Sequence, residues 1–336
     1  MAPQTAIDLD YLAANVHARR SLMAEGDRLR SLVRLRSLPD LSRALYPAME
    51  PAVTAADLQR RLIRDQASEL ADLACGVGGA GGAVLDWLAT RFRVENLKVL
   101  ARGFAAGLRP ETVRPHLVAV GGAPPDPAPF LEAGDVSALV ALLPDGPLRR
   151  GAARGADLYE RQGRSFALEA GLDAGYLGEL LDRAGAAPDR DHVRGPVLQE
   201  VDLFQMMLAA RGRFVFGVDA EDLEPFAVRP AAMKPLLEAG DLEELTRAAV
   251  GHAIDRLPAG EAGRITPAAL EALGWDRFAR VANGAFRRSH MGLGAVVAYA
   301  ALRRVELANL IRISEGIRLG VPPERLRERL IPREAE

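Results

Sequence analysis

The sequence predicts an all-α protein made of three similar helical lobes. Apolar residues recur at helical spacing along most of the chain, and one helix-length segment is repeated. Strand-like alternation is confined to a short stretch, Arg213 to Val218. Because one face of a helix repeats about every 3.6 residues and one face of a strand every two, this pattern favours helices throughout.

The composition limits the function classes. The chain has 336 residues, a net charge of −2 and a single cysteine, Cys75, so neither a basic nucleic-acid-binding surface nor a disulfide framework is expected. Its first ten residues lack the features of a signal peptide. The longest apolar run, Met291 to Leu302, is shorter than the roughly 20 residues of a membrane-spanning helix. We therefore expect a soluble, cytoplasmic protein without direct membrane insertion.

The amino-terminal third reads as a series of helices. Residues 8 to 36 alternate apolar and Arg-rich positions, and Leu38 to Leu45 form a short helix. Thr54 is placed to N-cap a helix through Ala74. The glycine-rich run from 76 to 82 interrupts the pattern before a helix from Val84 to Ala106.

The pattern then restarts twice. A proline-rich linker at 121 to 129 precedes FLEAGDVSALVALL (130 to 143), whose twin is LLEAGDLEELTRAAV (236 to 250). Both copies place L-E-A-G-D before an amphipathic helix. We therefore predict lobes at 1–122, 123–235 and 236–336.

The repeated segment is the carboxyl-terminal helical segment from Val305 to Ile331. An earlier copy lies at 94 to 117 and aligns without a gap. A weaker middle copy follows Val201, and its ending is repeated only after a four-residue insertion within the copy. The matched positions are Asn96 with Asn309, Gly107 with Gly320 and Glu111 with Glu324, and in the middle copy Asp202, Gly217 and Glu221.

Three polar residues of the repeated segment and its earlier copy need hydrogen-bond partners. Asn96 and Asn309 lie at the edge of an apolar stripe, where an amide can bond the backbone of a neighbouring helix and fix register. Glu306 falls inside the stripe, so its carboxylate must be paired, for example with an arginine. We interpret all three as structural; contact with a ligand is the alternative.

One stretch imitates a cofactor site. DLACGVGGAGG, from Asp72 to Gly82, contains G-x-G-x-x-G and resembles motif I of S-adenosylmethionine-dependent methyltransferases. Such a loop functions after a strand, whereas residues 55 to 74 have the pattern of an amphipathic helix. A loop between helices is the preferred interpretation, and a methyltransferase is the alternative.

No other pattern indicates chemistry. A P-loop is missing, and none of the five histidines has a histidine partner at i+3 or i+4. The acidic residues are scattered over helix faces. We therefore assign no catalytic, cofactor-binding or metal-binding residue.

Four segments together resemble the C subunit of V/A-type ATP synthases, the counterpart of the d subunit of the eukaryotic vacuolar ATPase. They are YLAANVHARRSLM, SLPDLSRALYP, RFRVENLKVLARGFAAGL and AYAALRRVELANLIRISEGIRLGVPPERLRERL. The resemblance spans the whole chain and rests on order, spacing and threefold repetition. It departs from the family at Asp202 and at glycine-rich insertions (76 to 82 and 151 to 155).

The resemblance implies a non-catalytic rotor subunit. Its three lobes would surround a pseudo-threefold axis as a funnel that receives the central-stalk subunits D and F and rests on the membrane rotor ring of c-type subunits. The protein would transmit torque between ATP chemistry and proton or sodium transport. Arg102 and Arg318 are possible stalk contacts, although solvated helix faces are the alternative for both. A generic helical-repeat scaffold is a further alternative.

Overall fold

The computed structural model describes residues 9–250 and 265–332, which form helices and connecting loops with no strand among them. This confirms the all-α prediction. The helices, in chain order, are α1 (Leu9–Arg20), α2 (Gly26–Val33), α3 (Leu38–Leu45), α4 (Ala55–Cys75), α5 (Gly79–Ala105), α6 (Pro110–Val113), α7 (Ala128–Leu131), α8 (Val136–Ala141), α9 (Pro147–Gln162), α10 (Ser165–Ala186), α11 (Arg190–Phe214), α12 (Ala220–Leu223), α13 (Pro230–Glu238), α14 (Leu242–Val250), α15 (Pro267–Ser289), α16 (Leu293–Arg318) and α17 (Pro323–Arg327).

Several helix starts follow directly from local sequence. Thr54 caps α4, because its hydroxyl oxygen accepts a hydrogen bond from the backbone N–H of Asp57 over 3.1 Å. The aspartates of the two L-E-A-G-D copies also cap helices. Asp135 accepts from the N–H of Ala138 over 2.7 Å, and Asp241 accepts from the N–H of Glu244 over 2.8 Å. These capping bonds explain why the same five residues precede a helix twice.

Two predicted elements differ from the structure. Helix α5 begins at Gly79, inside the glycine-rich run and ahead of the expected Val84. The strand-like stretch from Arg213 is helical to Phe214, because it continues the 25-residue helix α11, and tertiary packing outweighs the local strand preference of its aromatic and β-branched residues.

Residues group by contact into two compact units. The first comprises Met1–Ala89, Ala187–Pro196 and Trp275–Glu336. Its core joins the predicted apolar stripe of α16 to the amino-terminal helices: Leu310 and Ile313 are buried with Leu41 and Leu58, and Leu326 of α17 closes one end. Burial of this stripe holds α16 against α3 and α4.

The second unit comprises Thr90–Ala186 and Val197–Gly274. Its closest helix pair is α9 with α10, where Gly151 and Gly155 face Gly171 and Gly175. A Cβ atom added to Gly171 would lie 2.2 Å from the carbonyl oxygen of Gly151, so only glycine permits this approach. The glycines at 151 to 155 therefore serve helix packing.

Among the described helices, none is both long and apolar enough to cross a membrane. The sequence features at residues 1 to 8 and at His252 lie outside the described ranges.

Candidate functional site

The most distinctive geometry of the chain lies in the repeated helix ends. Asn309 donates from Nδ2 to the carbonyl oxygen of Ile331 over 2.7 Å, and its Oδ1 accepts from the N–H of Ile331 over 2.9 Å. Asn96 makes the same two bonds with Val118, at 2.8 and 2.9 Å. The expected backbone partner is thus the segment after the short helix, not a neighbouring long helix.

The middle copy uses a different side chain from the one that the sequence comparison selects. Asp202 aligns with the asparagines in sequence, but it lies one turn too early and pairs with the guanidinium of Arg229 over 2.7 Å. Gln205, only 1% exposed, makes the equivalent backbone bond: its Oε1 accepts from the N–H of Arg229 over 2.6 Å. The helix end of this copy also carries one extra residue, because Gly217 follows Gln205 by twelve positions whereas Gly107 follows Asn96 by eleven.

The three repeat glycines end their helices in the same way. Gly107, Gly217 and Gly320 have left-handed φ angles of 60°, 68° and 66°. The N–H that follows each glycine bonds back to a glycine carbonyl of the preceding helix. These bonds run from Leu108 to Gly103, from Val218 to Gly212 and from Val321 to Gly316, over 2.8 to 2.9 Å.

A short helix follows each of these turns. The repeated acidic residues Glu111, Glu221 and Glu324 lie in the first turns of α6, α12 and α17. The short helix packs its apolar side chain against the helix glycine, as Leu326 does at Gly316, where an added Cβ would lie 2.2 Å from that leucine. The repeat is therefore a structural unit: a long helix, a glycine turn and a short helix, tied by an amide.

A polar contact joins each long helix to a further helix. Six residues after the amide stand Arg102, Arg211 and Glu315. Their partners are Glu169 over 2.7 Å, Glu271 over 2.5 Å and Gln59 over 2.7 Å, each the fifth residue of its helix. We call these three contacts the joints. Because position and geometry recur, the joints belong to the repeat and are not incidental surface pairs.

The two arginines predicted as stalk contacts are both half-exposed and both paired within the chain. Arg102 is 53% exposed at its side chain and bonds Glu169, and that hydrogen bond raises the pKa of its guanidinium. Arg318, also 53% exposed, bonds Glu315 over 2.7 Å. Burial alone would raise the pKa of the Glu315 carboxyl, but the bonds from Arg318 and Gln59 outweigh it and hold that pKa below its usual range.

Glu306, 6% exposed, belongs to a buried polar network of the first unit. One of its carboxylate oxygens bonds the guanidinium of Arg303, and the other accepts from the backbone N–H of Ala24 over 2.5 Å. Arg303 also bonds Glu69 over 2.7 Å, and Glu69 accepts from the hydroxyl of Tyr299 over 2.6 Å. The carboxylate within the apolar stripe is thus satisfied by arginine and backbone.

Glu69 is the member of this network that sequence reasoning missed. Its side chain is only 15% exposed, and burial by itself raises the pKa of its carboxyl. Arg303, Tyr299 and Arg19 reverse that effect and bring the pKa below its usual range. The i, i+3 spacing of Arg303 and Glu306 was visible in the sequence, whereas the contact between residues 69 and 303 was not.

The cofactor-like glycines lie between helices. Gly76 follows α4, Gly78 lies in the short loop, and Gly79, Gly81 and Gly82 belong to the first turn of α5. A Cβ at Gly82 would lie 2.1 Å from the carbonyl oxygen of Val77, so this glycine permits a tight helix start. The strand that a dinucleotide or methyltransferase loop requires is replaced by α4, which contradicts the methyltransferase alternative.

A serine, a histidine and an aspartate meet elsewhere, but not in catalytic order. Asp189 accepts from the hydroxyl of Ser289 and from Nδ1 of His192, both over 2.6 Å. In a nucleophilic triad the histidine lies between the other two, whereas here the aspartate does. It also accepts from the N–H of Gly294 over 3.0 Å and so ties the start of α11 to the start of α16. Within residues 9–250 and 265–332, no group of three or more His, Cys, Asp or Glu could hold a metal ion.

The chain is similar to a family model and to a known protein. The family model described as "ATP synthase (C/AC39) subunit" matches residues 12–329. The C subunit of the A-type ATP synthase of Methanosphaera stadtmanae is 22% identical over 262 residues, which cover 73% of this chain and 67% of that protein.

Proposed function

Since the chain belongs to the ATP synthase (C/AC39) subunit family, we propose that it is a non-catalytic central-stalk subunit of a V/A-type ATP synthase. In this role it couples the rotor-stalk subunits D and F to the membrane rotor ring of c-type subunits. The complex then links ATP synthesis or hydrolysis to proton or sodium transport. The subunit is cytoplasmic and peripheral to the membrane, held there by its partners.

The observation that carries this proposal is the order of the joints. Arg102 of the first repeat bonds Glu169 of the second, and Arg211 of the second bonds Glu271 of the third. Glu315 of the third repeat then bonds Gln59 of the first. Each joint thus pairs a long helix of one repeat with a helix of another, which supports the division into three similar lobes (1–122, 123–235 and 236–336) that the family resemblance implies.

A second contact supports the same arrangement. Arg91 forms an ion pair with Glu200, whose side chain is buried. The two residues hold equivalent positions, five before Asn96 and five before Gln205. Contact between equivalent positions of the first and second repeats supports the interpretation of the lobes as copies of one unit.

Stiffness is the physical requirement of a torque-transmitting subunit. The buried network of Glu69, Arg303 and Glu306 has fixed hydrogen-bond geometry, and the glycine-mediated packing of α9 on α10 leaves no room for sliding. We propose that these features keep each of the two units rigid under load. A hinged arrangement would dissipate rotation as bending.

Arg102 and Arg318 remain our proposed contacts with the stalk. Each is half-exposed, and each is oriented by one carboxylate, which leaves further N–H donors for a partner. Exposed charges arranged in this way orient protein partners during association.

The test is capture of the partners from membranes. The tagged chain, expressed in its own host, is recovered from detergent-solubilised membranes and the bound proteins are identified by mass spectrometry. The proposal predicts subunits D and F and the c-type ring. A generic helical scaffold would be equally helical but would recover none of them, and that result, obtained with a folded chain, would overturn the proposal.

A further inference from the structure

The second unit contains an open cleft beside the joint of Arg102 and Glu169. Its volume is about 630 Å³, and it is lined by α5, α10, α11 and the residue Phe216 that follows α11. The cleft therefore lies beside two of the repeated long helices, at the level of the joint formed by Arg102.

The lining is rich in positive charge. Lys98, Arg102, Arg164 and Arg211 contribute four cations, and Glu169 and Asp173 contribute two carboxylates, so the lining carries a net charge of +2. Lys98 bonds Asp173 over 3.2 Å. Arg102 and Arg211 are paired with glutamates in the joints.

Arg164 is the cation without a carboxylate partner among the described residues. Its guanidinium donates to the backbone oxygen of Phe216 over 3.1 Å and lies 5.7 Å from the ring centroid of that residue. It directly precedes the 22-residue helix α10, whose amino-terminal end adds partial positive charge. The exposed edge of the cleft is thus cationic.

The floor of the cleft is apolar and aromatic. Phe166, Phe204, Met207 and Phe216 line it and are all partly exposed. The rings of Phe166 and Phe216 meet in a tilted arrangement, 4.7 Å between centroids. Aromatic residues, methionine and arginine are the residue types enriched in protein–protein interfaces, and all three meet here.

We propose that this cleft receives an acidic segment of the central stalk that inserts a large apolar side chain between Phe166 and Met207. The inference rests on the proposed function and adds to it the position and chemistry of the stalk contact. A net positive rim selects carboxylates, and a partly exposed aromatic floor is covered when an apolar side chain enters. Arg164 would supply the charge-assisted hydrogen bond to the partner's carboxylate.

Binding of the purified D–F pair to the full chain tests the inference. Arg164→Glu reverses the charge at an exposed position, Arg164→Gln removes it, and Arg154→Glu serves as the matched control because Arg154 is an exposed arginine of α9 outside the cleft. At low ionic strength we expect Arg164→Glu to weaken binding at least about tenfold and Arg164→Gln to weaken it less, while the control binds like the wild type. Added salt should reduce the difference.

The outcomes separate the two proposals. If wild type and Arg164→Glu bind the D–F pair equally, the cleft is not the stalk site, although the proposed function stands. Loss of rotor-ring binding with unchanged D–F binding also overturns the inference, because the occupant would then be the ring. If the wild type binds neither the D–F pair nor the ring, the proposed function itself fails.

Discussion

The carboxamide of Asn309 bonds both backbone groups of Ile331, and both residues are almost completely buried, at 2% and 4% exposure. The segment after α17 is therefore held to α16 by a side chain. The amide bonds backbone groups that would otherwise need partners in a helix or a strand. The same pair of hydrogen bonds joins Asn96 to Val118, and Val118 is less buried than Ile331.

Replacement of Asn309 tests how much this tie contributes to stability. In Asn309→Ala the N–H and the carbonyl of Ile331 lose their partner in a buried site, so the free energy of unfolding should fall by about 2 to 4 kcal/mol. Urea denaturation followed by far-ultraviolet circular dichroism measures the change. Asn96→Ala should cost less, because water can reach Val118. Equal and negligible effects at both sites would mean that the ties do not hold the repeats together.

Asn96 and Asn309 could be identified from the sequence as equivalent residues, because the two copies align without a gap and carry asparagine at the same position. It did not find Gln205, since an aspartate resembles an asparagine more closely than a glutamine does, and one extra residue at the helix end moves the register. The joints could not be predicted from the sequence either. Arg102 and Glu169 lie 67 residues apart, and which helix faces which is decided by packing and not by the periodicity of either helix.

Helix patterns were predictable for a simple reason, namely that burial of one face leaves a periodic trace in the sequence. The apolar stripe of α16 is confirmed by the burial of Leu310 and Ile313. The requirement for a partner at Glu306 was equally visible, because a carboxylate cannot remain alone in such a stripe. The further contacts of Arg303 with Glu69, and of Glu69 with Tyr299, could not be predicted, because they join residues that lie 230 or more positions apart.

The depressed pKa of Glu69 predicts acid sensitivity. A carboxyl whose pKa is lower in the folded than in the unfolded chain stabilises the fold above its unfolded value, about 4.3, and loses this contribution as the pH falls through the folded value. Glu69→Gln should therefore be less stable than wild type near pH 7, and the difference should shrink as the pH is lowered below about 5. Thermal unfolding across this range measures it.

The control for Glu69 is Glu50→Gln, at an exposed side chain. This variant should unfold at the same temperature as the wild type, both near neutral pH and at acid pH. A Glu69→Gln variant as stable as the wild type at neutral pH would show that the network contributes nothing net to folding.

The packing of α9 on α10 predicts opposite effects for two glycines of one helix. Gly171→Ala places a Cβ 2.2 Å from a backbone oxygen that cannot move aside, so we expect a loss of about 1 to 3 kcal/mol. Gly178→Ala, where no atom lies within 4 Å of the added Cβ, should instead stabilise by about 0.5 to 1 kcal/mol through better helix propensity. Urea midpoints of the two variants give the comparison, and similar midpoints would contradict the close approach.

Charge reversal at Arg102 and Arg318 tests the proposed stalk contacts. Because a partner's carboxylates would meet two negative side chains, the Arg102→Glu, Arg318→Glu double variant should bind the D–F pair more weakly and with less dependence on salt. Arg150→Glu, at another exposed arginine, is the control. Isothermal titration calorimetry provides the affinities, and an affinity equal to that of the wild type would remove both arginines from the interface.

The central claim is that one chain bridges the rotor stalk and the membrane ring, and reconstitution measures this directly. Liposomes that contain the purified c-type ring are mixed with the D–F pair, with and without this chain, and then sedimented. We predict that the D–F pair sediments with the liposomes only when the chain is present. Sedimentation of the D–F pair to the same extent without the chain, or its absence from the pellet when the folded chain is present, would contradict the account.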